Sequence, residues 1–276
     1  MLGFTTLWER PQQQMAARHS TRGTRIWLTG ASYGIGRSLA LELAAHGAVL
    51  GLTARSGDKL ERLREEIEAA GGTALVLPGD VTDRDAMIGI AGVMRDAWGG
   101  IDVLIANAGT HVPTSIDAFD VDEYMGLMQL NYAGALNCIE AVLPEMLEAR
   151  SGHIVGVSSL AGYRGVPGAA AYGATKSALI HFLESMRFDL SGRGVDVTIV
   201  NPGFVRTPLT DRNDFDMPFL VEPDRAARII RRGIERRRRE VTFPFPFDWF
   251  IKFLRVIPMP LYMLIMGMTW KRMKRD

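Results

Sequence analysis

The sequence predicts an α/β protein: one doubly wound domain in which helices cover both faces of a parallel sheet. From Arg25 onward, short β-branched or aliphatic runs alternate with longer helical patterns. No linker-like stretch interrupts this alternation up to Glu240, and 276 residues can form one large core. We therefore expect an N-terminal arm over residues 1–24, a domain over 25–242 and a C-terminal appendage over 243–276.

The individual elements follow from composition and punctuation. Six runs are typical of buried strands: Arg25–Thr29, Val49–Ala54, Ala74–Leu77, Val103–Ala106, Ile154–Ser158 and Val195–Val200. Five longer segments have helical periodicity: Ile35–His46, Asp58–Ala70, Asp83–Trp98, Val121–Ala149 and Ala170–Leu190. Gly47 follows the first helix, Gly71 and Gly72 end the second, and Asp83 can cap the third. Strands that alternate with helices in this way imply parallel pairing.

Composition excludes several classes of protein. With 47% apolar and 23% charged residues, the chain is neither disordered nor collagen-like. Cys138 is the single cysteine, which excludes an intramolecular disulfide, and the five histidines lack ligand-like spacing, so we expect no metal site. Residues 1–24 contain no apolar core, so we expect no cleavable signal peptide and a cytoplasmic location.

Charge is distributed unevenly along the chain. The segment from Arg225 to Asp276 contains fourteen Lys or Arg against four Asp or Glu, a net charge of +10. Since the whole chain carries +1, the first 224 residues carry −9. A basic end on an acidic body favours contact with an anionic partner. We do not expect that partner to be nucleic acid, because the acidic body would repel phosphate and no recognition motif is present.

The first predicted strand leads into a glycine-rich turn over residues 29–36, Thr-Gly-Ala-Ser-Tyr-Gly-Ile-Gly. Gly30 lets the chain turn sharply, while Gly34 and Gly36 let backbone approach a ligand and let the helix pack closely on the sheet. The helix that begins near Ile35 would direct unpaired N–H groups and its positive dipole end at a pyrophosphate. The strand–turn–helix context therefore indicates a dinucleotide site, although the spacing is G-x-x-x-G-x-G rather than G-x-G-x-x-G.

The end of the second predicted strand indicates which dinucleotide would bind. A site for NAD places an acidic residue about 20 residues further along to bond the ribose 2′-hydroxyl. This chain has Ala54 and Arg55 there, and Arg55 would pair with a 2′-phosphate through charge-assisted hydrogen bonds. NADP(H) is therefore the expected cofactor, with NAD(H) less favoured. The alternative for Arg55 is a solvated arginine ahead of Asp58.

Three further residues are candidates for acid–base chemistry. Tyr172 and Lys176 are four residues apart, so a helix places them on one face. A phenol with a pKa near ~10 is a poor acid or base at neutral pH, and an adjacent ammonium would lower that pKa. Ser159, at the end of a predicted strand, could donate a hydrogen bond to a substrate oxygen. A Tyr/Lys pair alone is usually an ordinary helix surface pair, so the assignment depends on accompanying motifs.

Seven motifs occur together between Arg25 and Glu240: Thr29-Gly30-x-x-x-Gly34-x-Gly36, Asp80-Val81, Asn107-Ala108-Gly109, Asn131, Ser159, Tyr172-x-x-x-Lys176, and Asn201-Pro202-Gly203 with Thr207. With them the chain resembles the short-chain dehydrogenase/reductase superfamily; Ala106 departs from it, since many members have Asn there. The resemblance implies a Rossmann domain with a mostly parallel seven-stranded sheet. It also implies a homodimer or homotetramer, with helices 121–149 and 170–190 at the interface.

The resemblance also assigns roles. The implied catalytic set is Asn131, Ser159, Tyr172 and Lys176. Tyr172 would exchange the proton, Ser159 would polarise the carbonyl oxygen, Lys176 would lower the Tyr172 pKa and bond the nicotinamide ribose, and Asn131 would hold a water in a proton relay. The segment from Phe204 to Glu222 would be a mobile lid over the substrate.

The implied cofactor site extends over the whole motif series. Its residues are Thr29, Gly30, Ser32, Gly34, Ile35, Gly36, Arg55, Asp80, Val81, Asn107, Ala108, Gly109, Tyr172, Lys176, Pro202, Gly203, Val205 and Thr207. The expected function is NADP(H)-dependent interconversion of a ketone and a secondary alcohol by hydride transfer, on a lipophilic substrate. The alternatives are a 3-oxoacyl-carrier reductase, a 3-keto-sphingoid reductase and a non-catalytic cofactor-binding scaffold.

The predicted appendage is apolar and ends in basic residues. Its longest uncharged run, Val256–Trp270, has fifteen residues, fewer than the ~20 a spanning helix needs, and Pro258 and Pro260 interrupt it. We expect residues 243–276 to lie on an anionic membrane surface, peripheral to the inner face. The alternative is that the run packs on its own domain or on a sister subunit.

Overall fold

The computed structural model describes residues 19–112, 114, 116–208, 210 and 217–273. Most of the predicted N-terminal arm and the middle of the predicted lid lie outside these residues. The described chain forms a seven-stranded sheet in the order β3-β2-β1-β4-β5-β6-β7, and every neighbouring pair is parallel. The strands are β1 (Arg25–Thr29), β2 (Val49–Thr53), β3 (Thr73–Val76), β4 (Val103–Ala106), β5 (Gly152–Val157), β6 (Val195–Pro202) and β7 (Glu240–Phe243).

Helices cover both faces of this sheet, because residues of β1 alternate between two hydrophobic cores. Ile26 and Leu28 enter one core, which α1, α2 and α7 cover, whereas Trp27 enters the other core, which α3, α5 and α6 cover. The doubly wound fold class is thus confirmed. The helices are α1 (Gly34–Ala45), α2 (Gly57–Ala69), α3 (Arg84–Trp98), α4 (Val121–Met128), α5 (Gly134–Glu148), α6 (Ala170–Asp189), α7 (Pro223–Glu235), α8 (Phe247–Val256) and α9 (Met259–Met273).

Strand β7 was absent from the six predicted strand runs, and it crosses the predicted domain boundary at residue 242. It is only four residues long and is followed by prolines and aromatic residues that resemble a tail. Val241 and Phe243 are both buried in the main core. The domain therefore extends at least to Phe243, and in the described residues the sheet is parallel throughout rather than mostly parallel.

The segment predicted as one helix over Val121–Ala149 is helical from Val121 to Glu148, but a π turn divides it. The chain forms α4, one turn of π-helix over Gln129–Ala133, and α5. The apolar periodicity continues through the whole segment, so the pattern alone did not reveal the interruption. The π turn contains Asn131, which is fully buried and hydrogen-bonded to groups on other segments of the chain. Single π turns of this kind frequently occur at functional sites.

The two C-terminal helices pack on the domain. Leu254, Ile257 and Tyr262 form a small buried cluster between α8 and α9. Arg164, in the segment after β5, donates a hydrogen bond to the carbonyl oxygen of Ile257 at 2.8 Å, and the Tyr262 hydroxyl donates to the carbonyl oxygen of Gly165. None of the helices in the described part of the chain combines the length and the apolar character that crossing a bilayer requires.

This packing predicts different effects for two adjacent substitutions on α8. Leu254→Ala should lower the free energy of unfolding by about 2 kcal/mol or more, because Leu254 is 4% exposed and truncation leaves a cavity. Phe253→Ala should change it by less than about 0.5 kcal/mol, since Phe253 is 57% exposed. Urea unfolding followed by tryptophan fluorescence measures both. Equal, negligible effects would contradict packing of α8 on the domain.

Candidate active site

A cavity of about 790 Å³ opens at the carboxyl ends of the strands. Segments that follow β1, β2, β3, β4, β5 and β6 all contribute to its wall. Its centre lies where β1 is flanked by β2 on one side and β4 on the other. In an open α/β sheet, this reversal of strand order leaves a crevice between the loops, and ligands bind there.

Every predicted site residue except Thr29 and Asn131 lines this cavity. The fold therefore brings together side chains that are up to 177 positions apart, from Gly30 to Thr207. The cavity is also lined by residues that the motif analysis missed: Tyr33, Ala54, Ser56, Gly79, Thr110, Leu130, Val157, Ser158, Pro208 and Thr210. Most of these are immediate sequence neighbours of motif residues, so proximity to the motifs was the signal that could have found them.

Thr29 does not line the cavity, but its hydrogen bonds hold the loop after β4, which does. Its hydroxyl oxygen accepts hydrogen bonds from the backbone N–H groups of Asn107 and Ala108, both at 3.1 Å. The Asn107 side-chain amide in turn donates to the carbonyl oxygens of Thr29 at 3.0 Å and Gly30 at 3.2 Å. These four bonds join the ends of β1 and β4, so the two loops on either side of the crevice are held at a fixed separation.

The glycines of the first turn are required by close contacts. Gly30 has a φ of +67°, and a Cβ placed there would lie 2.8 Å from the Ala108 Cα. A Cβ on Gly36 would lie 2.1 Å from the Gly30 carbonyl oxygen. Helix α1 begins at Gly34 and has no acidic residue in its first turn, so its N–H groups face the cavity without a competing carboxylate. This cradle fits a dinucleotide pyrophosphate.

The far end of the cavity, after β2, is basic and polar. Arg55 is exposed there beside Ser56, and both line the cavity. The Lys59 ammonium lies 3.9 Å from the centroid of the Tyr33 ring, which is also part of the wall. On the opposite side of this end, Asp80 is fixed because its carboxylate accepts two hydrogen bonds from Thr82.

Ser159 and Tyr172 meet at the other end of the cavity. Ser159 follows β5, and its hydroxyl oxygen accepts a hydrogen bond from the Ala161 backbone N–H at 3.1 Å. Tyr172 lies in the first turn of α6 and lines the same part of the cavity wall as Ser159. Burial raises the pKa of Tyr172, and the Ser159 hydroxyl partly opposes that rise. The phenol is therefore protonated at neutral pH.

Lys176 lies one helical turn after Tyr172, as predicted from their spacing. Its ammonium donates to the Val157 carbonyl oxygen at 3.0 Å and lies 5.7 Å from the centroid of the Tyr172 ring. Burial lowers the pKa of Lys176 to about 8. The role predicted for Lys176, lowering the pKa of Tyr172, stays a prediction.

Asn131 connects two walls of the site from inside the π turn. Its side-chain oxygen accepts a hydrogen bond from the Thr110 N–H at 2.8 Å, and its amide donates to the Thr110 carbonyl oxygen and the Thr175 hydroxyl. Both amide hydrogens are thus used by protein acceptors. The side chain holds the loop after β4 against α6, and the water relay inferred from the resemblance stays a prediction.

The fold and this cleft define a dinucleotide-binding α/β oxidoreductase, and comparison with known proteins identifies the family. Residues 24–217 match the family model for short chain dehydrogenases. A protein named as an uncharacterized oxidoreductase from Myxococcus xanthus (strain DK1622) is 43% identical over 235 residues, which are 85% of this chain and 93% of the relative. A second protein with that description, Lmo0432 from Listeria monocytogenes, is 35% identical over 76% of this chain and 90% of its own length.

A solved structure agrees with these relatives. The crystal structure of a short-chain type dehydrogenase/reductase from Mycobacterium marinum superposes with a TM-score of 0.76 at 26% identity, covering 82% of this chain and 96% of that one. The chain belongs to the short-chain dehydrogenase family, so the resemblance drawn from the seven motifs is confirmed. It is an oxidoreductase, and members of its family use NAD(H) or NADP(H) as cofactors.

The buried amine of Lys176 predicts a pH-dependent contribution to stability. The Lys176 amine loses its proton near pH 8 in the folded chain, against a model value of 10.5. Between these values the unfolded chain binds more protons, so raising the pH should stabilise the folded protein. The stability of the native chain relative to Lys176→Met should therefore rise from about pH 8 upward, by at most roughly 3 kcal/mol. Urea unfolding of both proteins measures this difference, and a difference that is independent of pH would contradict the prediction.

Proposed function

We propose that this protein reduces a lipophilic ketone to a secondary alcohol with NADPH as the hydride donor. One observation carries the proposal: Ser159, Tyr172 and Lys176 line the same cavity that the glycine turn and α1 open to a dinucleotide. A carbonyl carbon in that cavity would have both a proton donor and a hydrogen-bond donor beside its oxygen.

The residues divide the chemistry between them. When bound, a reduced nicotinamide dinucleotide supplies the hydride to the carbonyl carbon. The Ser159 hydroxyl donates a hydrogen bond to the carbonyl oxygen, and Tyr172 transfers its proton to the same oxygen. Because burial raises the pKa of Tyr172, the phenol holds that proton at neutral pH and can act as the proton donor in reduction. Lys176 would bond the nicotinamide ribose from its position beside Tyr172.

The preference for NADPH rests on the end of the cavity that follows β2. The chain has Arg55, and not an acidic residue, at the position where a carboxylate would select the 2′-hydroxyl of NADH. The Arg55 guanidinium and the Ser56 hydroxyl both line the wall there, and together they can donate several hydrogen bonds to a 2′-phosphate.

The choice of a lipophilic substrate rests on the aromatic surroundings of the nicotinamide end. Phe247 of α8 stacks on Phe204 and Phe219, with ring centroids 5.9 and 6.0 Å apart. Phe204 directly follows Gly203, a residue of the cavity wall, and a Cβ placed on Gly203 would lie 3.2 Å from the Phe247 ring. Leu130 and Pro208 add further apolar surface to the wall. Such a lining favours a ketone with an apolar body.

We also propose that the protein is a homodimer or homotetramer through the layer of α4, α5 and α6. Val121 and Met125 on α4 and Phe188 on α6 are exposed, Phe188 by 81%, and an apolar surface of this kind is suited to a partner subunit. Sedimentation velocity tests this proposal, and a monomer at micromolar concentration would contradict it.

Replacing Tyr172 with Phe tests the chemistry. The variant lacks only the phenolic hydroxyl, so ketone turnover should fall by about 10²–10⁴-fold while NADPH binding changes little. Tyr124→Phe is the matched control. Tyr124 lies on α4, packs against Phe119 and does not line the cavity. Steady-state kinetics with a panel of hydrophobic ketones measures turnover. Near-normal activity of Tyr172→Phe would refute the assignment.

Replacing Arg55 with Asp tests the cofactor preference. Asp would repel a 2′-phosphate, so NADPH affinity should fall by roughly 1–3 kcal/mol relative to NADH affinity, about 5- to 150-fold. Arg62→Asp introduces the same change of charge on the exposed side of α2, away from the cavity, and should leave the ratio unchanged. Fluorescence titration measures both affinities. Equal affinity of the native protein for the two cofactors would overturn this part of the proposal.

A further inference from the structure

The C-terminal helices concentrate the exposed apolar surface of the molecule. In the part of the chain that the structure describes, nineteen large hydrophobic side chains are exposed, and ten of them lie between Phe245 and Met268. The other nine are spread over the rest of the described chain. These ten are Phe245, Trp249, Phe250, Phe253, Val256, Met259, Leu261, Met263, Leu264 and Met268. A patch of this density marks an interaction surface rather than ordinary surface composition.

On α8 the exposed side is apolar because its charged residues turn toward the domain. Trp249, Phe253 and Val256 follow one another at helical spacing and are exposed by 68%, 57% and 76%. The Lys252 ammonium instead donates to the Glu240 carboxylate at 2.7 Å, and the Arg255 guanidinium lies 3.7 Å from the Glu184 carboxylate. The exposed side of α8 therefore carries apolar side chains and no acidic group.

The second property of this C-terminal surface is the positive charge of its sequence. Between Trp249 and Arg275 the chain contains six basic residues and no acidic one, with four of the six in the last five positions of that stretch. The arginines of α7 are a separate group, since α7 covers the other face of the sheet and Arg231 pairs with Glu42 and Glu235. Apart from Lys252 and Arg255, which contact acidic groups of the domain, the basic residues of this stretch lie between Lys271 and Arg275 in sequence.

We propose that α8 and α9 form a docking surface for an anionic lipid bilayer, with the two helices lying in the interface. Aromatic and methionine side chains would insert beside the acyl chains while the basic end contacts the headgroups. A second copy of this chain suits the surface less well. A two-fold interface would place the same patch on itself, and the stretch from Trp249 to Arg275, which contains no acidic residue, would offer no opposite charge to its copy.

Helix α8 begins next to the cleft wall, since a Cβ placed on Gly203 would lie 3.2 Å from the Phe247 ring, and this part of the inference rests on the proposed function. Phe247, the first residue of α8, stacks on Phe204 and Phe219 after β6. At the other end, Tyr262 of α9 packs on Arg164, which lies between the catalytic candidates Ser159 and Tyr172 in sequence. A bilayer bound to α8 and α9 would thus lie beside the entrance for a lipophilic ketone.

Vesicle flotation of the full-length chain tests the surface. Protein is mixed with vesicles of phosphatidylcholine alone or with added phosphatidylglycerol, at low and high salt. We expect flotation with the anionic vesicles, weakened by salt. A triple variant that removes exposed apolar groups should reduce binding by roughly tenfold or more. Its substitutions are Phe250→Gln, Phe253→Gln and Leu264→Gln.

A matched control separates this surface from apolar exposure in general. A second triple variant changes three exposed apolar residues elsewhere, Ile88→Gln, Val93→Gln and Ile116→Gln, and should float like the native chain. Replacing the four terminal basic residues with Gln should remove the salt dependence; these are Lys271, Arg272, Lys274 and Arg275. Failure of the native protein to float at any salt concentration would overturn the proposal. So would sedimentation that shows the α8–α9 variant to be a smaller oligomer than the control.

Activity assays separate failure of the surface from failure of the proposed function. With a water-soluble ketone, both triple variants should turn over NADPH at the native rate, which also shows that they are folded. With a long-chain ketone embedded in anionic vesicles, only the α8–α9 variant should be slower, by roughly tenfold in line with its weaker binding. Equal rates of the two variants on the embedded ketone would contradict delivery from the bilayer, whereas flotation without any turnover would contradict only the proposed function.

Discussion

The active site depends on the junction between β1 and β4. These strands are neighbours in the sheet, yet the chain leaves them in opposite directions to form two different layers. Asn107 and Thr29 tie the two loops together through four hydrogen bonds, and glycine at position 30 is what allows the backbones to come this close. If the junction opened, the pyrophosphate cradle at α1 and the wall carrying Asn107 would no longer face the same ligand.

The titratable groups at the catalytic end of the cleft are buried away from water. Tyr172 and Lys176 both experience burial, which raises the pKa of the phenol and lowers that of the amine. Burial favours the neutral form of each group, but a pKa of about 8 still leaves Lys176 mostly protonated at neutral pH beside a neutral Tyr172 phenol. The packing of α6 therefore places a proton donor and a cation at the same end of the cleft.

The sequence was sufficient to predict the architecture and nearly all of the cleft. Strand–helix alternation predicts the parallel sheet, and eighteen of the twenty predicted site residues line one cavity. What the sequence did not reveal depends on tertiary contacts. The π turn contains Asn131, whose side chain bonds to Thr110 and Thr175, and both partners are distant in sequence. Burial raises the pKa of Tyr172, and spacing along a helix cannot reveal burial.

The most direct test of the account follows the hydride itself. The native protein is given NADPH that carries deuterium at the transferred position, together with an apolar ketone, and the alcohol product is analysed by mass spectrometry. The account predicts an alcohol with one deuterium on the carbinol carbon. Tight NADPH binding with no deuterium in any product across a broad ketone panel would contradict it, and would favour a cofactor-binding scaffold instead.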